Sequence, residues 1–205
     1  MIMLECAIFI NIVIVICELY ILRHITGKLN ILKYYTYLQN FLALMVSLIF
    51  SIVVIVCIIS NRAVPEYIRG LRYIAACGLI ATMFIFIVFL GRGKKVAIME
   101  DDFLVGCNSK IANSVLHYIC PILSLVSFVL FEREIPLSNG IWTSIVAIPS
   151  CLYWMIYIVL SLTKLWKEPY DFASQGDKGR LYECLPFFLI PLSFVALSFI
   201  LWSIR

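Results

Sequence analysis

The chain has 205 residues, of which 63% are hydrophobic and only 14% are charged, with a net charge of +4 and a mean hydropathy of +1.04. A soluble domain of this size is closer to half apolar and a quarter charged, and one globular core cannot bury such an excess of apolar residues. The composition therefore predicts a membrane protein. Because a helix needs about 20 residues to cross a hydrocarbon core of about 30 Å, six spans exclude a large catalytic domain outside the bilayer.

Six apolar segments are long enough to cross a bilayer as helices. We expect an all-α, polytopic six-helix bundle that forms one domain over residues 1–205, because lipid offers no partner to unpaired backbone groups. The predicted spans are 3–22, 35–59, 71–90, 114–131, 141–163 and 184–203. No basic residue precedes the first segment, which also carries Glu5. We therefore predict a retained span there and not a cleaved signal peptide.

Basic residues are unevenly distributed between the two predicted faces of the bundle. Loops one, three and five share a face with 11 of them: Arg23, Lys28, Lys33, Arg92, Lys94, Lys95, Lys110, Lys164, Lys167, Lys178 and Arg180. The face with both termini has five: Arg62, Arg69, Arg72, Arg133 and Arg205. Since Lys and Arg concentrate in cytoplasmic loops, we expect the odd-numbered loops in the cytoplasm and both termini outside. The net charge then reflects orientation and contact with anionic lipid, with no nucleic-acid partner.

The cysteines and histidines predict neither a disulfide framework nor a metal site. Most of the eight cysteines lie inside apolar runs, none forms a C-x-x-C pair, and the chain has only two histidines. This spacing is typical of reduced thiols that pack between helices. We therefore expect a protein without a metal ion or other cofactor. The oligomeric state stays open.

The polar residues of the spans cluster toward the face of the odd-numbered loops. Away from the opposite face, Glu18 and His117 are the only ionisable groups that we expect inside spans, and Thr36 opens the second span at the same depth. Two stripes of small or polar residues continue from this level at helical spacing: Thr36, Asn40, Ala43, Ser47 and Ser51, and Asn113, His117, Cys120, Ser124 and Ser127. Such stripes are expected to face each other or a cavity inside the bundle.

A proline lies within the helical segment that carries the second stripe. Pro121 removes the helical hydrogen bond to the carbonyl of His117, four residues earlier, and clashes with it. A kink there would open the helix beside the histidine, and irregular backbone at membrane depth is tolerated only next to protein or water.

Each of these residues also admits a purely structural role. The Thr36 hydroxyl is placed to bond to its own helix start, and His117 to reach the interface. Glu18 is placed to pair with Arg23 or Lys33. The serines of both stripes suit close helix packing.

Three short motifs, in order along nearly the whole chain, resemble those of the androgen-induced gene and androgen-dependent TFPI-regulating protein family, including its bacterial six-span relatives. The first is the aromatic-Thr-x-x-x-Asn segment at 34–40, and the second is the His-x-x-x-Pro segment at 116–123. The third comprises Pro149, Tyr153 and Tyr157, followed by Trp166, Pro169, Tyr170 and Phe172. The order around Pro169 and Tyr170 departs from the Tyr-Pro order of the family.

The resemblance implies an integral membrane hydrolase of lipid esters in a bacterial plasma membrane. Animal members of the family cleave fatty acid esters of hydroxy fatty acids with a threonine nucleophile and a histidine base. Thr36 takes the nucleophile position and His117 the base position. Asn40, Asn113 and Tyr157 are candidates for the oxyanion hole or for binding substrate, and Glu18 or Asp171 for orienting His117.

Two other functions remain open at this stage. Cys120 lies one turn from His117, so the pair also fits a thiol acyltransferase or thiol hydrolase. Alternatively, the same cavity would bind or transport a lipid or solute without turnover, with His117 and Glu18 as a proton-linked pair. In the favoured prediction the partner is a lipid ester that enters from the bilayer.

Overall fold

The computed structural model describes residues 2–24, 34–87, 108–138, 140–163 and 180–204, and all regular elements in these ranges are helical. The all-α prediction is therefore confirmed for the described part of the chain. The helices are α1 (Ile2–Arg23), α2 (Tyr35–Ile59), α3 (Glu66–Ile85), α4 (Ser109–Ser114, Val115–Ile119, Cys120–Val126 and Ser127–Phe131), α5 (Ile141–Ile145 and Ala147–Leu162) and α6 (Arg180–Ser203).

Within the described ranges, four helices are long and apolar enough to cross a membrane. They cover Ile2–Arg23, Tyr35–Ile59, Glu66–Ile85 and Lys110–Phe131, and shorter apolar stretches occur at Ile141–Ile156 and Leu192–Ser203. Many of their large apolar side chains face outward, including Phe41 and Ile122. Such an apolar exterior fits a lipid environment, because water would not solvate it.

A left-handed residue ends α2 and directs the chain into α3. Asn61 has a φ of 50°, a conformation that asparagine tolerates better than most residues. The Asn61 N–H donates to the Ile58 carbonyl, and the Arg62 N–H donates to the Cys57 carbonyl. This Schellman motif satisfies the last carbonyls of α2, so the two helices are joined by a short, well-bonded turn.

The central element of the bundle is α3. It packs against α2, α4 and α6 and against the first segment of α5, and most of its side chains are buried. Small residues permit this close approach. Gly78 faces the Gln39 side chain of α2, and Gly70 faces the Trp142 indole of α5.

The Gly70→Ala variant is expected to be less stable than the wild type. A helix-interior alanine is normally more stable than glycine by about 1 kcal/mol. Here, however, its Cβ would overlap the indole ring of Trp142, and overpacking of this kind costs about 1–3 kcal/mol. Thermal unfolding in detergent would measure the change. Gly140→Ala is the control, because no atom lies within 4 Å of a Cβ there, and equal stability of the two variants would refute the steric explanation.

Two π-helical segments interrupt α4. The helix begins after Asn108, whose side chain accepts from the Lys110 N–H at 2.9 Å, and then runs through π segments at Val115–Ile119 and Ser127–Phe131. The first π segment carries His117 and ends just before Pro121. π segments are frequent at functional sites because the widened turn displaces side chains from the regular helical positions.

The start of α3 differs from the sequence expectation and changes the position of two arginines. The predicted span begins at residue 71, whereas the helix begins at Glu66. Arg69 and Arg72, expected at the loop face, lie inside the helix and are buried. A hydropathy profile penalises each arginine as if it faced lipid, although both contact polar or aromatic groups within the bundle. The expectation that Glu18 and His117 are the only ionisable groups inside spans left out residues near this face, so the two buried arginines do not contradict it.

Candidate functional site

Helices α1, α2 and α4 meet in one apolar cluster around the predicted site. Its buried members on the first two helices include Ile14 and Ile21 of α1 and Tyr37 and Ala43 of α2. From α4 it includes Ala112, Val115, Leu116 and Cys120. These residues bring together the segments that carry Glu18, Thr36 and His117.

Thr36 lies in the first turn of α2 and is half-buried. Its carbonyl accepts a hydrogen bond of 2.8 Å from the Asn40 side-chain nitrogen, one turn later. Asn40 itself is 2% exposed. The amide therefore holds the backbone of the first turn, and Thr36 remains partly exposed.

His117 lies on the first π segment of α4 and is 2% exposed. Its ring stacks on Phe86, with centroids 4.1 Å apart and planes 17° apart. This π segment packs against α1, α2 and α3. Within the described residues, the Thr36 hydroxyl and the His117 ring do not hydrogen-bond to each other. Catalytic hydrogen bonds are often long before substrate binds and then tighten.

Glu18 and Cys120 contact each other between α1 and α4. Glu18 is 5% exposed, and Cys120 is fully buried. The Cys17 thiol lies at the same place. The six described cysteines are all free thiols. The predicted alternative nucleophile is thus enclosed against α1, in contrast to the half-exposed Thr36.

The remaining predicted site residues are Asn113, Tyr157 and Asp171. Asn113 is half-buried on α4, one turn before His117. Tyr157 belongs to α5, but its side chain lies outside the described residues, and so does all of Asp171. Among the residues described here, no group of three His, Cys, Asp or Glu side chains could hold a metal ion.

Aromatic side chains surround the residue that precedes Thr36. Tyr35 is buried against Tyr153, Trp154 and Phe194, and its hydroxyl donates to the Ser150 hydroxyl at 3.2 Å. The ring centroids of Tyr35 and Tyr153 are 4.9 Å apart. These contacts anchor the start of α2 on α5 and α6 and so fix the position of Thr36.

A second polar cluster, which sequence reasoning missed, lies toward the opposite end of the bundle. Arg72 and Glu132 are both fully buried, and the Arg72 Nε donates to the Glu132 Oε1 at 3.1 Å. The other guanidinium nitrogens donate to the hydroxyls of Ser47 and Ser124, each at 3.3 Å. The Arg72–Glu132 ion pair and the hydrogen bonds to the two serines therefore join side chains of α2, α3 and α4. Glu132 itself directly follows the end of α4.

Helix α1 joins the same network through Asn11. The Asn11 side-chain nitrogen donates to the Ser127 hydroxyl at 3.0 Å, and Ser127 donates to the Glu132 Oε1 at 2.7 Å. The serine stripes were expected to face the interior, and Ser47, Ser124 and Ser127 do so with these partners. Asn11, which lies in the middle of the apolar first span, could have indicated a buried polar cluster from the sequence, since such residues need partners within the bundle.

The comparisons with family models, with characterised proteins and with solved structures found no match to this chain. The family resemblance therefore depends on the three motifs quoted from the sequence.

Proposed function

We propose that the protein is an intramembrane carboxylic ester hydrolase in which Thr36 is the nucleophile and His117 is the general base. The observation that carries the proposal is the burial of His117 on a π-helical segment that packs against α2, the helix that begins with Thr36. A histidine that accepts the proton of a hydroxyl is a common activator of a weak oxygen nucleophile. The motif resemblance supports the same two residues.

The surroundings favour Thr36 over Cys120 as the nucleophile. Thr36 is half-buried, whereas Cys120 is fully buried and contacts Glu18 and Cys17. A nucleophile must reach the carbonyl carbon of a substrate that enters from lipid. The hydroxyl therefore suits an ester from the bilayer better than the enclosed thiol does.

The proposed reaction has two steps. His117 accepts the proton of the Thr36 hydroxyl as its oxygen attacks the ester carbonyl, and it returns that proton to the leaving alcohol. A water molecule, activated by the same histidine, then hydrolyses the acyl-threonine and releases the fatty acid. Phe86 stacks on the imidazole and would hold the ring plane fixed during both proton transfers.

We also propose six membrane spans, with the odd-numbered loops in the cytoplasm of a bacterial cell. The burial of Arg69 and Arg72 strengthens this orientation. Without these two, the opposite face retains Arg62, Arg133 and Arg205 as basic residues, against 11 on the odd-numbered loops. The proposed site would then lie near the cytoplasmic surface of the membrane.

Intact-protein mass spectrometry after treatment with a fluorophosphonate probe tests the nucleophile. We expect one adduct on the wild type and on Cys120→Ala, localised to residue 36, and none on Thr36→Ala. Thr36→Ser, which keeps a hydroxyl, should be labelled. An adduct that persists on Thr36→Ala but disappears with Cys120→Ala would instead assign the reaction to the thiol.

A further inference from the structure

Three buried side-chain oxygens near the candidate site accept no hydrogen bond in the described part of the chain. They are Asn40 Oδ1, Asn113 Oδ1 and Glu18 Oε1. Asn40 is 2% exposed and Glu18 5% exposed, so bulk water does not solvate them. Buried acceptors are nearly always paired in native proteins, and exceptions call for an explanation.

Asn40 and Glu18 both lie next to buried members of the apolar cluster around the predicted site. Asn40 is on the α2 face between Tyr37 and Ala43, and Glu18 is on the α1 face between Ile14 and Ile21. Because residues three or four apart share a helix face, both side chains point toward this cluster, to which α1, α2, α3 and α4 all contribute.

The third oxygen comes from α4, the helix that completes this cluster. Asn113 lies one turn before His117 and between the buried Ala112 and Leu116 of the cluster. The contact between Glu18 and Cys120 links α1 to the same helix. All three acceptors thus belong to the helix surfaces around the proposed catalytic pair.

The Asn40 amide has a defined orientation. Its nitrogen donates to the Thr36 carbonyl at 2.8 Å, and only the nitrogen of an amide can make that bond. The oxygen is therefore the atom that is available to accept a hydrogen bond from a ligand. This argues against the expected role of Asn40 as an oxyanion donor and in favour of a role in accepting a hydrogen bond from substrate.

Building on the proposed hydrolase function, we propose that the substrate is a neutral lipid ester that carries a free hydroxyl close to the ester bond, as a monoacylglycerol does. The hydroxyl donates to Asn40 Oδ1, and a second hydroxyl of the same substrate has Asn113 as its acceptor. A substrate with a free carboxylate and no hydroxyl, such as a fatty acid ester of a hydroxy fatty acid, only accepts hydrogen bonds and so leaves the Asn40 and Asn113 oxygens unpaired. Sites built to bind a hydroxyl discriminate strongly against analogues that lack it, because the buried acceptor is then left unpaired.

Hydrolysis of matched esters by the full-length protein in detergent tests this substrate class. The probes are monooleoylglycerol, its di-O-methyl ether and the oleoyl ester of hydroxystearic acid. We expect kcat/KM for monooleoylglycerol to exceed that for the other two by at least about tenfold. In Asn40→Leu the preference over the dimethyl ether should fall to within about threefold. Ser51→Ala, farther along α2, should keep the wild-type preference.

The outcomes separate this inference from the proposed function. Hydrolysis of monooleoylglycerol and its dimethyl ether with equal kcat/KM would show that the acceptors do not bind the hydroxyls of the substrate, and would overturn the inference while the hydrolase function stands. Faster turnover of the hydroxystearic acid ester would also overturn it. If the protein hydrolysed none of the esters and the probe left no adduct on Thr36, the proposed function would fall together with the inference.

Discussion

Glu132→Leu is expected to lower the midpoint of thermal unfolding in detergent by about 10 °C. The substitution leaves the Arg72 guanidinium fully buried without its ion-pair partner. Removal of one member of a buried pair costs about 3–5 kcal/mol. For a chain of about 200 residues, each kcal/mol corresponds to about 2–4 °C. Arg72→Leu should produce a similar loss of stability, because it leaves the Glu132 carboxylate buried without its ion-pair partner.

The hydroxyls around Arg72 do not compensate for the missing carboxylate. Ser47 and Ser124 accept from the guanidinium at 3.3 Å, but neutral hydroxyls cannot balance a full charge in a low-dielectric interior. Loss of Glu132 also leaves the Ser127 hydroxyl and one Asn11 hydrogen bond without their acceptor. One substitution therefore affects residues of α1, α2, α3 and α4.

A double variant separates the charge effect from loss of packing. Arg72→Leu combined with Glu132→Leu should recover much of the stability lost in either single variant, because no uncompensated charge remains. Arg133→Leu is the matched control, since this residue follows Glu132 directly but is exposed. Additive losses in the double variant would refute a mutual charge interaction between Arg72 and Glu132.

Apolar runs predicted the helices well where no buried charge interrupts them. The predicted second span, residues 35–59, coincides with α2. The start of α3 could not be predicted in the same way, because hydropathy scales assume that Arg69 and Arg72 face lipid. The carboxylate that pairs with Arg72 belongs to Glu132, which lies 60 residues away in the sequence.

The sequence predicted which polar residues face the interior of the bundle, but not all of the partners that they contact there. The polar stripes correctly predicted that Ser47 and Ser124 face inward, since helical spacing fixes which residues share a face. Their common partner, Arg72, was not predictable, because neighbouring helices in a bundle are not specified by hydropathy. The choice of Thr36 and His117 rests on their common depth in the predicted spans and on motif resemblance, and the packing of α2 against the π segment of α4 is compatible with it.

His117→Ala is expected to lower kcat for ester hydrolysis by about 10²–10⁴-fold, the contribution typical of a general base. Thr36→Ala should lose at least as much, and the double variant should be no slower than the worse of the two, because residues that act as one unit are not additive. Phe86→Leu removes only the ring stacked on the imidazole, so a smaller loss is expected. Steady-state hydrolysis of a long-chain ester measures all four variants. Full activity of either alanine variant would exclude that residue from the reaction, and full activity of Thr36→Ala together with a loss in Cys120→Ala would reassign the nucleophile to the thiol.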